Sequence, residues 1–88
     1  LELGAGNLNQ LPFEPEGQTY DIVEPFTELF AEAVGLARVR ASYADVCEVP
    51  AEARYDRIIS TAVLEHICDL PLTLARAAQR LAPGGVFK

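Results

Sequence analysis

The chain alternates short apolar segments with glycine- and proline-rich or helix-like connections, and this alternation constrains its fold more than any other feature. The apolar segments are LEL, YDIV, RVRASY, YDRII and, at the end, VFK. Each has the length or composition of a strand or of its beginning, and the predicted order is β, loop, β, α, β, β, α, β. This order is typical of a parallel α/β sheet with right-handed crossovers, in which ligands bind at the carboxyl ends of the strands.

Two of the connections have the spacing of an amphipathic helix. The first predicted helix ends at Gly35, and its apolar face consists of Phe26, Leu29, Phe30, Ala33 and Val34. The second can be capped by Asp69, has Pro71 in its first turn and ends before APGG, and its apolar face consists of Leu70, Leu74, Ala77, Ala78 and Leu81. The other two connections lack this pattern. NLNQLPFEPEGQ contains two prolines and a glycine that forbid a long helix, and residues 47–54 have room for a single helical turn.

The opening LELGAGNLN joins a strand directly to a glycine turn, which lets backbone N–H groups approach a ligand closely. A dinucleotide fingerprint, G-x-G-x-x-G, matches Gly4 and Gly6 but requires glycine where Asn9 stands. The loop of S-adenosylmethionine enzymes, acid-x-G-x-G-x-G, matches Glu2 and both glycines but finds Leu8 in the last position. A turn that only connects two elements is the third alternative, so the other strand ends must decide between them.

Acidic and small side chains follow the next strands. Glu24 ends the second strand, 20 residues after Gly4, where a carboxylate can accept hydrogen bonds from both ribose hydroxyls. Asp45 follows the third strand and is placed to accept a hydrogen bond from an adenine amino group. Each acid alone is more often a solvated loop carboxylate, but together they favour a nucleoside ligand. An acidic site suits a sulfonium and an ammonium better than it suits a pyrophosphate.

Composition excludes several classes of protein. The chain has 13 acidic against 7 basic residues and a net charge of −6, without a basic stripe, so we expect no nucleic-acid partner. No apolar run approaches the roughly 20 residues that cross a bilayer, so we expect no membrane partner. Cys47 and Cys68 form no C-x-x-C pair, which disfavours a metal site and fits two free thiols in the cytoplasm.

Taken together, these motifs resemble those of the class I S-adenosylmethionine-dependent methyltransferases. The likeness is carried by LELGAG, YDIVEP, YDRIISTAVLEHI and LAPGGVF, in that order, over nearly the whole chain. It implies a Rossmann-like doubly wound sheet, mostly parallel, with residues 1–88 as a partial domain from strand one to the start of strand five. Because both chain ends fall inside strands, we expect a domain truncated at both ends that self-associates through exposed strand edges.

The resemblance also implies site residues at the matching positions. The cofactor contacts would be Glu2, Gly4, Ala5 and Gly6 in the glycine loop, Glu24 and Pro25 after the second strand, Asp45 and Val46 after the third, and Thr61 and Ala62 after the fourth. In the family, the glycine loop holds the methionine end of S-adenosylmethionine, the second-strand acid holds the ribose, and the third-strand pair flanks the adenine. The fourth-strand pair lies beside the sulfonium, and the PGG turn into strand five is structural.

Methyl transfer is an in-line displacement at carbon, so the protein mainly aligns the reactants and removes a proton where the acceptor is a hydroxyl. His66 or Glu65 could remove that proton, although a lone histidine after an apolar strand is more often structural. We expect a small-molecule acceptor, whose reacting atom the sequence leaves open.

Two other classes of function remain. One is a binding or structural module that keeps the fold without catalysis. The other is an NAD-dependent oxidoreductase, which Asn9, Asp45 and the PGG turn disfavour. An aminopropyltransferase, within the same enzyme class, would need a second acidic pair that the sequence does not offer.

Overall fold

The computed structural model describes residues 1–8, 10–60 and 70–88, which form a parallel sheet of five strands. The strands are β1 (Glu2–Leu3), β2 (Tyr20–Val23), β3 (Val39–Tyr43), β4 (Tyr55–Ser60) and β5 (Leu81–Phe87), in the spatial order β3-β2-β1-β4-β5. The chain moves outward from β1 to β3 and then returns to place β4 on the other side of β1. This reversal is the doubly wound arrangement that the sequence predicted, with a topological switch point beside β1.

The strand register brings the carboxyl ends of the four strands β1 to β4 to one edge of the sheet. Leu3 pairs with Val23 of β2 and with Ser60 of β4, and Val23 pairs in turn with Tyr43 of β3. The backbone bonds continue one residue further, since the Gly4 amide donates to the Val23 carbonyl at 2.7 Å. The residues that follow the strands therefore meet at this carboxyl edge.

Each face of the sheet buries its own hydrophobic cluster. Leu3 and Val23 belong to a cluster that also contains Ile58 and Ala77, whereas Ile22 belongs to a second cluster on the opposite face. Neighbouring residues of a strand point to opposite faces, so both faces of β2 are covered by apolar residues. The second cluster consists of Ala5, Leu8, Leu11, Tyr20, Ile22 and Phe30.

The prediction of a helix over residues 26–34 was wrong. The structure has two short 3-10 helices there, Thr27–Leu29 and Val34–Arg38, with an extended residue, Ala33, between them. Of the predicted apolar face, Phe30 alone is buried in the second cluster, whereas Val34 is fully exposed. A short helix needs tertiary contacts along its whole apolar face to form, and this segment does not provide them.

The second predicted helix is confirmed as α1 (Leu70–Ala78), which places Ala77 in the first cluster. It ends before Leu81, which instead begins β5. Residues 83–85 were predicted as a turn before that strand, and they lie inside it as a bulge, because Tyr55 pairs with Leu81 and Arg57 with Val86. Gly84 has a φ of 79°, a conformation that favours glycine.

Among its described residues, the predicted loop between β1 and β2 contains one 3-10 helix, Leu11–Phe13, and side-chain hydrogen bonds hold the loop against the rest of the fold. The Arg38 guanidinium donates to the carbonyls of Leu11, Glu14 and Pro15 at 2.9 to 3.1 Å. The Glu14 carboxylate accepts hydrogen bonds from Arg57 and Gln10, and the Arg57 bond contributes most to lowering the pKa of Glu14. These hydrogen bonds, and not the packing of a helix, hold this connection in place. The predicted single turn after β3 is likewise a 3-10 helix, Val46–Glu48.

A buried carboxylate stabilises the amino-terminal side of the sheet. Asp21 is fully buried in β2, and its two oxygens accept hydrogen bonds from Arg40 at 3.0 and 2.5 Å and from the Tyr55 hydroxyl at 2.6 Å. Burial raises the pKa of Asp21, but the bonds from Arg40 and Tyr55 outweigh it, so the pKa lies below its ordinary value. The folded state therefore favours the charged form of Asp21.

This network predicts a loss of stability in acid. A carboxyl whose pKa is lowered by folding stabilises the protein above its unfolded pKa of about 3.9, and this contribution disappears as the pH falls below that value. We expect the free energy of unfolding, measured with urea from pH 7 to pH 3, to fall less steeply in Asp21→Asn than in the wild type. Asp56→Asn, an exposed change in β4, is the control and should keep the wild-type slope. Equal slopes in all three proteins would contradict the assignment.

Candidate functional site at the carboxyl edge

The candidate site begins with the glycine loop that follows β1. Gly4 and Gly6 have φ values of 70° and 57°, so both adopt the left-handed conformation that glycine tolerates best. A Cβ added to Gly6 would meet no heavy atom within 4 Å, so this face of the loop is open. Ala5, between them, is buried in the second cluster. The amides of both glycines are already bonded within the fold, that of Gly4 to the Val23 carbonyl and that of Gly6 to the Glu24 carboxylate.

Leu8 has the same left-handed backbone as the two glycines. Its φ is 67°, and its side chain is buried with Leu11 and Phe30. A leucine in this region carries a backbone cost of about 1–2 kcal/mol, which burial of its side chain offsets. The loop thus has three left-handed residues, Gly4, Gly6 and Leu8, of which two are glycines. The sequence indicated this backbone only through the position of Leu8, which stands where the acid-x-G-x-G-x-G pattern has its last glycine.

Glu24 connects the glycine loop to the end of β2. It is 4% exposed, and its Oε1 accepts a hydrogen bond from the Gly6 amide at 2.8 Å while its Oε2 accepts one from the Phe26 amide at 3.0 Å. Its own amide donates to the carbonyl of Tyr43 in β3 at 2.8 Å. Glu24 thus sits between the loop and the third strand, and its contact with a ribose stays a prediction. The part played by Phe26 was not foreseen, because a backbone amide leaves no trace in the sequence.

Glu2 lies inside the sheet. Its side chain is fully buried, and its Oε1 accepts a hydrogen bond from the Tyr20 hydroxyl at 2.7 Å. Burial, and then the bond to this carboxylate, raise the pKa of Tyr20 far above its ordinary value. In this conformation Glu2 supports β1 and β2 from within, and its contact with the methionine end of a cofactor stays a prediction.

Asp45 and Val46 follow β3, as predicted, but their environments differ. Asp45 is exposed and caps the 3-10 helix Val46–Glu48, because its Oδ1 accepts a hydrogen bond from the Cys47 amide at 2.8 Å. Val46 is buried in the first cluster, so its main contacts are with the core. Pro25 is exposed beside Glu24. The remaining predicted site residues, Thr61, Ala62, Glu65 and His66, lie outside the described residues.

A cavity of about 350 Å³ lies at the opposite, amino-terminal edge of the sheet. Arg40, Arg54 and Arg57 help to line it. Two of these arginines pair with carboxylates of the fold, Arg40 with Asp21 and Arg57 with Glu14. These ion pairs serve the sheet itself, so the cavity is distinct from the candidate site.

Two further properties hold for residues 1–8, 10–60 and 70–88. No helix there is long and apolar enough to span a membrane. No three histidine, cysteine, aspartate or glutamate side chains there are grouped so that they could hold a metal ion.

Comparison with known families shows which family the chain belongs to. The family model of the methyltransferase domain matches residues 1–87. The chain belongs to the methyltransferase domain family. The match covers the sheet and the carboxyl edge together, which agrees with the Rossmann-like α/β fold described above. The chain matches no curated protein. Membership in this family supports methyl transfer as the chemistry.

The left-handed backbone at Leu8 leads us to a prediction about the free energy of unfolding of two variants. Leu8→Gly and Leu8→Ala both lose the buried side chain, but glycine releases the backbone cost of about 1–2 kcal/mol that alanine retains. We therefore expect Leu8→Gly to be the more stable of the two by about 1 kcal/mol in urea unfolding.

The same pair of changes at Leu11, which is fully buried in a 3-10 helix, is the control. There, alanine should be more stable than glycine by about 0.5–1 kcal/mol, the usual order. Finding the usual order at Leu8 as well would show that its backbone is not left-handed.

Proposed function

We propose that the protein is an S-adenosylmethionine-dependent methyltransferase that acts on a small-molecule acceptor. The observation that carries this proposal is the contact between the glycine loop and Glu24 at the carboxyl edge. The Gly6 amide nitrogen lies 2.8 Å from the Glu24 carboxylate. Ligands of doubly wound sheets bind at this edge, beside the switch point. Family membership supplies the reaction class, and the geometry supports the cofactor.

The described residues fit such a cofactor. Each Glu24 oxygen accepts one amide hydrogen bond and keeps a second lone pair, which a ribose hydroxyl can use. Both partners of Glu24 are uncharged amides, so its negative charge is available to a cationic ligand. Asp45 is exposed near the end of the neighbouring strand, where it can accept a hydrogen bond from the adenine amino group through its unoccupied lone pairs. The open face of Gly6 admits the amino-acid end.

The bound cofactor would supply a methyl group on a positively charged sulfur. The residues of the chain would orient it: Glu24 and Pro25 at the ribose, Asp45 and Val46 at the adenine, and the loop from Gly4 to Gly6 at the methionine end, with Glu2 behind it. Thr61 and Ala62 would lie beside the sulfonium. Where the acceptor is a hydroxyl, His66 or Glu65 would remove its proton, which raises the nucleophilicity of the oxygen.

The acceptor is proposed to be a small molecule because the charge of −6 repels nucleic acid. Three of the arginines, moreover, line the opposite edge of the sheet, away from the candidate site.

Calorimetric titration tests the cofactor. We expect S-adenosylmethionine to bind the full chain with a Kd of about 1–100 μM and NAD not to bind, because the edge offers carboxylates and not the positive potential that a pyrophosphate requires. Asp45→Asn should bind about tenfold more weakly, since its amide oxygen still caps the turn but the carboxylate charge and one acceptor are lost. Glu48→Gln, an exposed change in the same turn, should bind like the wild type.

Binding of NAD in preference to S-adenosylmethionine would contradict the proposal and favour an oxidoreductase. Binding of neither ligand would indicate a module that has kept the fold alone. Binding of S-adenosylmethionine that Asp45→Asn leaves unchanged would retain the cofactor but remove Asp45 from the adenine site.

A further inference from the structure

The glycine loop has two glycine amides, and the end of β2 binds both of them. The Gly4 amide donates to the main-chain carbonyl of Val23, and the Gly6 amide donates to the side chain of Glu24. The first bond continues the sheet and does not depend on the identity of any side chain. The second depends on one carboxylate, so the conformation of the loop at Gly6 is controlled by a single residue of the neighbouring strand.

We propose that Glu24 is the positioning residue of the glycine loop, in addition to its role toward the ribose. Its carboxylate fixes the Gly6 amide in the conformation that receives the cofactor. This inference rests on the proposed function, because the conformation matters for activity only if the loop binds a ligand.

Three features give the carboxylate this control. Glycine loses more conformational freedom on ordering than any other residue, so a left-handed Gly6 needs a partner to hold it. A hydrogen bond to an ionised acceptor is roughly twice as strong as a neutral one, and burial of Glu24 shields it from competing water. The second bond, from the Phe26 amide at 3.0 Å, fixes the carboxylate itself. Glu24 is therefore anchored to its own turn and can hold the loop in place.

The two roles are compatible on one carboxylate. Two carboxylate oxygens offer about four lone-pair positions, and the amides of Gly6 and Phe26 occupy two of them. The remaining positions are the ones that a ribose diol would use. The site would therefore select a nucleoside that carries both free hydroxyls and would bind it with the loop already ordered.

Amide hydrogen exchange in the full chain, without any ligand, tests the inference. In Glu24→Ala, we expect the Gly6 and Phe26 amides to exchange about tenfold faster than in the wild type, relative to the Ile22 amide of β2. Glu28→Ala, which removes an exposed carboxylate from the adjoining turn Thr27–Leu29, is the matched control and should leave both rates unchanged. A carboxylate that serves only the ribose would have no effect on exchange in the free protein.

Unchanged exchange at Gly6 in Glu24→Ala, together with lost binding of S-adenosylmethionine, would overturn the positioning role and leave the proposed function intact. Faster exchange in a protein whose wild type binds no S-adenosylmethionine would retain the control of the loop but overturn its connection to this cofactor. The two claims thus fail separately.

If Glu24→Ala does not fold, Glu24→Gln replaces it. Its side-chain oxygen can still accept a bond from the Gly6 amide, but the carboxylate is lost, so we expect this amide to exchange faster than in the wild type by a smaller factor than in Glu24→Ala. Unchanged exchange at Gly6 in Glu24→Gln would overturn the inference.

Discussion

The site depends on one hydrogen-bonded carboxylate that joins two strand ends. Glu24 accepts hydrogen bonds from the loop that leaves β1 and from the turn that leaves β2, and its amide is bound to β3. Three neighbouring strands therefore have their carboxyl ends fixed relative to one another through this residue. Because β1 contains only two residues, its strand pairing alone fixes the position of the loop weakly. Hydrogen bonds from side chains provide the remaining constraint.

The two edges of the sheet use charge in different ways. At the amino-terminal edge, arginines neutralise buried carboxylates, as in the pairs Arg40–Asp21 and Arg57–Glu14. At the carboxyl edge, the Glu24 carboxylate accepts hydrogen bonds from two uncharged backbone amides. Carboxylates thus have different partners at the two edges, arginines at one and backbone amides at the other.

Much of the fold could be predicted from the sequence, because buried parallel strands are apolar runs bounded by turn residues. YDIV and YDRII have this pattern, and the position of Glu24 followed from it.

The prediction of a helix over residues 26–34 was wrong for a physical reason. Apolar spacing shows which face a helix could bury, but it does not show whether the fold supplies a surface to cover that face. The prediction of a turn at residues 83–85 was wrong because proline and glycine are as compatible with a bulge inside a strand as with the end of one. The left-handed backbone of Leu8 could not be predicted, because leucine rarely adopts this conformation. The bonds from backbone amides to Glu24 could not be predicted either, since every residue except proline carries an amide N–H group.

Mapping the ligand by NMR tests the central claim, that the carboxyl edge around Glu24 is the S-adenosylmethionine site. The account predicts that titration of S-adenosylmethionine into the full chain shifts the amide signals of Gly4, Gly6, Glu24 and Asp45 most strongly. Strongest shifts at the opposite edge, around Thr19 and Arg57, would contradict it, because they would place the ligand in the cavity that the arginines line.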